Sequence, residues 1–206
     1  MDLFGEALVD RFKGVYYPFY IEVYQKKEHN LDRYYRSVDK LSKVEKKLIS
    51  MCFKILDIGC GTGNYIPELE KKGKVTGIDI SPKVIDVARQ MRKNCFVADI
   101  FSYNETQKFD TITMFENNLG ISIDTKALLK KMYNLLTENG QILLIMSRSD
   151  KDYLETELVP IYKEFRGEKF RWINLNPKYL AKLCNQTNFK LKVIGMNRYY
   201  SLIKRV

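Results

Sequence analysis

The chain has 206 residues, a length suited to one domain with a single core of ordinary size. Its 45% hydrophobic and 13% aromatic content excludes an extensively disordered chain, and no apolar run approaches the roughly 20 residues of a membrane span. The net charge of +10 is concentrated late, since residues 1–147 hold 22 Lys and Arg against 19 Asp and Glu, whereas residues 148–206 hold 13 against 6. The N-terminus carries Asp2 and Glu6 and lacks the basic-then-apolar pattern of a secretory signal. Cys52, Cys60, Cys95 and Cys184 form no C-x-x-C pair, and His29 is the single histidine available to join them. The expectation is a cytoplasmic chain with reduced thiols, no metal site and no membrane partner.

Residues 1–53 mix Phe and Tyr with charges and read as a helical, aromatic N-terminal segment suited to a lid. Leu31, Tyr34, Tyr35, Val38, Leu41, Val44 and Leu48 recur at three- and four-residue steps, which predicts a helix over Leu31–Ser50; Pro18 limits any earlier one. Residues 54–147 then alternate short apolar runs with helical patterns. Strands are predicted at Lys54–Ile58, Val75–Ile80, Cys95–Ala98, Phe109–Phe115 and Gln141–Met146. Helices are predicted at Asn64–Lys72, from Ser81-Pro82 to about Lys93, and from Asp124 to about Asn139-Gly140. In the tail, a helix runs from Asn176-Pro177 to Gln186, and strands Phe189–Ile194 and Tyr199–Lys204 flank a hairpin turn. This order predicts an α/β fold: a Rossmann-like, doubly wound, mainly parallel seven-stranded sheet with helices on both faces and an antiparallel C-terminal hairpin. One domain is expected over residues 1–206, with 54–147 as ligand-binding core and 148–206 as acceptor-side insert, last helix and hairpin.

In such sheets ligands sit beyond the carboxyl ends of the strands. The first core strand ends in Asp57-Ile58-Gly59-Cys60-Gly61-Thr62-Gly63, where glycines let a backbone approach a ligand closely. The second ends in Asp79, placed to accept from a ribose diol, and the third is followed by Ala98-Asp99-Ile100, where a carboxylate suits an adenine amino group. A dinucleotide loop would read G-x-G-x-x-G and hold a pyrophosphate. Here the spacing is G-x-G-x-G, and Asp57 would repel a pyrophosphate while suiting a ligand that carries an ammonium and a sulfonium.

With these segments in view, the sequence resembles the class I S-adenosylmethionine-dependent methyltransferases. The likeness rests on Leu56–Gly63, Val75–Ser81, Ala98-Asp99, Phe109–Ile112 and Leu136–Gln141, in the family's order and spacing. The resemblance implies S-adenosyl-L-methionine as cofactor, S-adenosyl-L-homocysteine as product, and in-line methyl transfer to an N or O acceptor. It implies cofactor contacts from Asp57, Gly59, Cys60, Gly61, Asp79, Ile80, Asp99, Ile100 and Phe115. Acceptor chemistry is expected at Glu116, Asn117 and Asn118, and acceptor contacts at Tyr16, Tyr20, Tyr34 and Arg148. The loop Phe115–Gly120 departs from the Asn/Asp-Pro-Pro-aromatic motif of adenine and glutamine methyltransferases, so a small-molecule acceptor is expected. The basic tail keeps an RNA or protein methyltransferase as the second reading, ahead of a non-catalytic S-adenosylmethionine-binding subunit. His29, set in Lys27-Glu28-His29-Asn30, reads as an exposed loop residue.

Overall fold

The computed structural model describes residues 1–36, 40–147, 149–196 and 198–205. In chain order the N-terminal elements are α1 (Leu3–Phe12), β1 (Phe19–Glu22), β2 (Lys26–Glu28), a 3-10 turn (Leu31–Tyr35) and α2 (Lys43–Ser50). The core follows as β3 (Ile55–Ile58), α3 (Ile66–Glu70), β4 (Val75–Asp79), α4 (Pro82–Gln90), β5 (Cys95–Val97), β6 (Phe109–Met114), α5 (Thr125–Leu135) and β7 (Leu136–Ile145). The tail adds β8 (Tyr153–Tyr162), β9 (Phe165–Arg166), β10 (Phe170–Leu175), α6 (Pro177–Gln186), β11 (Phe189–Gly195) and β12 (Tyr199–Lys204).

Seven strands form the main sheet in the order β11-β12-β7-β6-β3-β4-β5. The β7-β6-β3-β4-β5 portion is parallel, and β12 joins β7 antiparallel as the inner strand of the C-terminal hairpin. The predicted architecture is therefore present. Central strands buried on both faces need continuous apolar runs, and β3 is buried at all four positions. Leu128, Leu129 and Met132 of α5 with Leu180 and Leu183 of α6 cover one face; Leu48 of α2, Ile66 and Leu69 of α3 and Ile85 of α4 cover the other.

Two predicted helices change. The periodicity over 31–50 belongs to two pieces: Asn30 caps the short 3-10 turn, Arg36 is extended, and Ser42 opens α2 through a capping box with Glu45. Leu31 and Tyr34 pack with the N-terminal cluster, whereas Leu41 and Leu48 pack on the sheet; Val38 lies outside the described residues. The α5 helix stops at Leu135, short of Asn139-Gly140, because the buried Leu136 already pairs with Phe109. Residues 137–140 then bulge from the ladder until Gln141 pairs with Thr111.

A second sheet was not expected. Strands β10-β8-β1-β2 are antiparallel neighbours, and β9 pairs with β8. The N-terminal segment and the 148–175 insert thus meet in one layer, Ile21 opposite Pro160 and Phe170 opposite Leu158. Its faces differ sharply. Glu155–Arg171, Glu157–Lys169 and Glu22–Arg166 ion pairs line one, while Phe19, Ile21, Leu158, Pro160, Phe170 and Trp172 line a cavity on the other.

Candidate functional site

The cavity lies between the carboxyl ends of β3–β7 and the apolar face of the second sheet and encloses about 1360 Å³. Its floor begins at the glycine loop. The Gly59 and Cys60 amides both donate to the Ile78 carbonyl, at 2.8 and 3.0 Å, tying the loop to β4. Gly59 has φ +69°, and a Cβ there would lie 2.5 Å from Asn118 Nδ2, so both conformation and space require glycine. Asn118 Nδ2 in turn donates to the carbonyls of Ile58 (3.1 Å) and Gly59 (2.8 Å). Gly61, with φ +57°, faces open space whose nearest neighbour is the Tyr34 ring at 3.8 Å.

Three carboxylates follow the strand ends. Asp57 is buried beneath the loop and accepts from the Thr113 hydroxyl at 2.6 Å. Burial pushes its carboxyl up to about 7, the hydroxyl opposing and the Asp79 charge reinforcing the rise. Asp79 accepts from the amides of Gly61 and Ser81, each at 3.0 Å, and burial raises it too despite those donors. Asp99 accepts from the Phe101 amide at 2.9 Å. Between Asp79 and Asp99, Ile80 is 72% exposed at the cavity rim, and Ile100 and Phe101 line the same edge.

The N-terminal segment closes over this floor. Phe4 meets Phe19 and Tyr34 edge-on, with centroids 5.6 and 5.1 Å apart. His29 sits among these rings with Nε2 3.1 Å from the Tyr34 hydroxyl. It is half-buried, not exposed as its polar neighbours suggested, and burial together with Arg33 lowers its pKa. The Thr62 hydroxyl donates to the Tyr34 carbonyl, and the Ser81 hydroxyl bonds Asp2, so the segment is fastened to the glycine loop and to the start of α4. A polar cluster makes the third attachment. Glu116 pairs with Arg33 and, at 3.3 Å, with Arg36; Arg36 also reaches Glu45 at 2.5 Å, and the Tyr65 hydroxyl lies 2.8 Å from Glu116 and 2.9 Å from Glu45.

Asp57, Gly59, Cys60, Gly61, Asp79, Ile80, Asp99, Ile100, Phe115, Glu116, Asn117, Asn118 and Tyr34 all line the one cavity. The Cys60 thiol, however, turns under the loop toward Cys95, whose hydrogen bond, with burial, raises its pKa. Asn117 is committed to scaffolding: its amide bonds Asn174 at 3.0 Å and accepts from the Ser147 amide at 2.9 Å. Glu116 and Asn117 are consecutive non-glycine residues at φ +56° and +65°, local strain held at the end of β6.

Tyr16 and Tyr20 do not line the cavity. Tyr16 is 69% exposed under Arg11, and Tyr20 falls on the ion-paired face of β1, with Lys26 over its ring at 3.9 Å. The cause is the two-residue period of a strand, which sends Phe19 and Ile21 inward and Tyr20 outward. Arg148 lies outside the described residues. Arg33 and Arg198 line the cavity without having been singled out for it, and Trp172, whose setting among Phe170, Arg171 and Ile173 favours packing of the tail over acceptor contact, lines it too. The alternation Phe19-Tyr20-Ile21-Glu22 and the insert's Leu154–Pro160 pattern were the available signals.

Residues 50–202 match the family described as "Methyltransferase domain". A malonyl-[acyl-carrier protein] O-methyltransferase 1 from Ilyobacter polytropus is 31% identical over 112 residues, which is 50% of this chain and 41% of that protein. A ubiquinone biosynthesis O-methyltransferase from Coxiella burnetii is 31% identical over 126 residues, 57% of this chain and 53% of that one. The chain thus spans only about half or less of the curated relatives it matches. Among solved structures, an S-adenosylmethionine-dependent methyltransferase from Bacteroides fragilis in complex with S-adenosyl-L-homocysteine superposes with a TM-score of 0.86 at 24% identity, covering 100% of this chain and 95% of that one. The sugar N-methyltransferase KedS8 from Streptoalloteichus superposes with a TM-score of 0.63 at 14% identity, covering 90% and 97%. With three quarters of its length matched to that family, and with the Rossmann-like fold of the class I S-adenosylmethionine-dependent enzymes, the chain belongs to the methyltransferase domain family.

Proposed function

We propose that this protein transfers the methyl group of S-adenosyl-L-methionine to a nitrogen or oxygen atom of a small molecule. The observation that carries the acceptor class is the cavity: at about 1360 Å³ it exceeds what one ligand ordinarily fills, and it lies between the two sheets with one side open to solvent. The donor set fits the cofactor. Gly61 leaves a Cβ-free approach, Asp79 stands at the ribose position with its carboxylate fixed by two amides, and Ile80, Ile100 and Phe101 offer apolar cover to a base. Asp57 beneath the loop suits a cationic amino-acid tail and would repel a pyrophosphate, which favours this cofactor over a dinucleotide.

The cofactor supplies a methyl group already activated on a sulfonium, so the chain's tasks are alignment and exclusion of water. In this reading Phe115 and Tyr65, in edge contact at 4.8 Å, wall the transfer site, and Asn118 holds the glycine loop in register. Glu116 fastens the closed cap through Arg33 and Arg36.

The RNA reading finds less support. Lys163, Arg166, Lys169 and Arg171 of the basic tail pair with Asp10, Glu22, Glu157 and Glu155, leaving no open cationic track on that sheet among the described residues. The test is S-adenosylhomocysteine release with panels of amines, phenols and carboxylic acids beside bulk tRNA and rRNA. Turnover with a small molecule and none with RNA is expected; methylation of RNA alone would overturn the reading.

A further inference from the structure

Building on the small-acceptor reading, we propose that the acceptor carries an oxyanionic group, separate from the atom that is methylated, and that Arg198 binds it. The sheet order sets the geography. Cofactor contacts run from β3 through β4 to β5, so the acceptor must occupy the cavity over β6, β7 and β12. Arg198 stands there, in the turn just before β12, and lines the cavity together with Ser147 and Asn117. With strands about 4.8 Å apart, it lies on the order of 10–15 Å from the end of β3, about one small-molecule length from the methyl donor.

Its own contacts prepare it for an anion. The guanidinium Nε donates to the Met146 carbonyl at 3.0 Å, and the Arg198 carbonyl accepts from the Met146 amide at 2.8 Å, which fixes the side chain at its root. Among the described residues no carboxylate pairs with the remaining guanidinium nitrogens, although Arg198 is half-buried. The other cavity cations differ: Arg33 is paired with Glu116, Lys26 lies over Tyr20, and Lys27 is exposed. The cavity carboxylates nearer the cofactor already have donors, Asp57 from Thr113, Asp79 from Gly61 and Ser81, and Asp99 from Phe101. A half-buried guanidinium whose two terminal nitrogens meet no carboxylate among the described residues is suited to bidentate recognition of a carboxylate or phosphate. Leu158, Phe170 and Trp172 line the same cavity and offer an apolar wall for the rest of the molecule. The acceptor class is therefore an apolar small molecule with an oxyanionic end.

The test uses the full chain saturated with S-adenosylhomocysteine and the neutral fluorophore N-phenyl-1-naphthylamine as cavity probe. Decanoate, decyl phosphate and methyl decanoate compete for it, and the first two distinguish a carboxylate from a phosphate preference. At least one anion should displace the probe at about tenfold lower concentration than the ester, as one charge-assisted contact provides. Arg198→Gln should bring anion and ester within about twofold of each other, Arg198→Lys should retain part of the gap, and neither should alter S-adenosylhomocysteine affinity by calorimetry. Equal displacement by anions and ester in the wild type, an undiminished gap in Arg198→Gln, or weakened S-adenosylhomocysteine binding would each overturn the assignment. A probe that enters but shows no anion preference defeats the Arg198 assignment alone; a probe that fails to enter contradicts the small-acceptor cavity, and this assignment with it.

Discussion

Asp57 and Glu116 are both acidic residues at strand ends, yet their surroundings give them different work. Asp57 is buried with one hydroxyl donor, and its pKa lies near 7 rather than in the ordinary carboxylate range. Between about pH 4 and 7 the folded chain therefore holds a proton that the unfolded chain has lost. Its contribution to stability is full below that window and falls as pH rises through it; Asp79, also raised, acts in the same sense. His29, lowered by burial, acts in the opposite sense over the same window. Denaturant titrations of the ligand-free protein should therefore show an unfolding free energy from pH 5 to pH 8 whose slope is more negative in the wild type than in Asp57→Asn; equal slopes would contradict the assignment. Glu116, by contrast, is gripped by two guanidiniums and faces a tyrosine hydroxyl. Glu116→Gln should cost roughly 1–3 kcal/mol of stability, read from urea unfolding, and weaken cofactor binding several-fold. An unchanged stability and cofactor affinity with a lost acidic limb in the pH–rate profile would make it a proton acceptor instead.

The second sheet depends on how its strands meet the core, and Gly120 marks that junction. A Cβ at Gly120 would collide with the Trp172 indole and the Ile173 carbonyl of β10, so the turn after β6 and the sheet above it share one tight contact. Gly120→Ala should destabilise the protein by about 1–3 kcal/mol and loosen β10, seen as faster amide exchange over 170–175 than over β3. Uniform exchange with wild-type stability would show the junction to be slack. Legibility at this scale followed burial. The central strands β3 and β6 announced themselves as short apolar runs because both faces are covered, and α6 began at its Asn176 cap as its sequence indicates. The strands β1, β8 and β10 expose one face and carry Glu155, Glu157 and Arg171 between apolar residues, so they resemble any amphipathic surface. The helix predicted over 31–50 misled because two short helical pieces, serving different clusters, happened to share a period.

At the scale of the molecule, one sheet supplies the cavity floor with the glycine loop and the strand-end acids, and the other supplies an apolar roof. The floor was legible because a glycine loop followed by acids at successive strand ends is local in sequence. The roof was not, because β1 and β8 lie more than 130 residues apart in the chain and nothing local reports their pairing. Tyr20 was misplaced because, without that pairing, the side of β1 that faces the cavity cannot be told from its sequence. The measurement that bears most directly on the whole account is titration calorimetry with S-adenosyl-L-homocysteine against wild type and Asp79→Ala. The account predicts one site per chain in the wild type and a loss of at least about tenfold in affinity for the variant, whose ribose acceptor is gone. No binding of S-adenosylhomocysteine alongside saturable binding of NADH would contradict it.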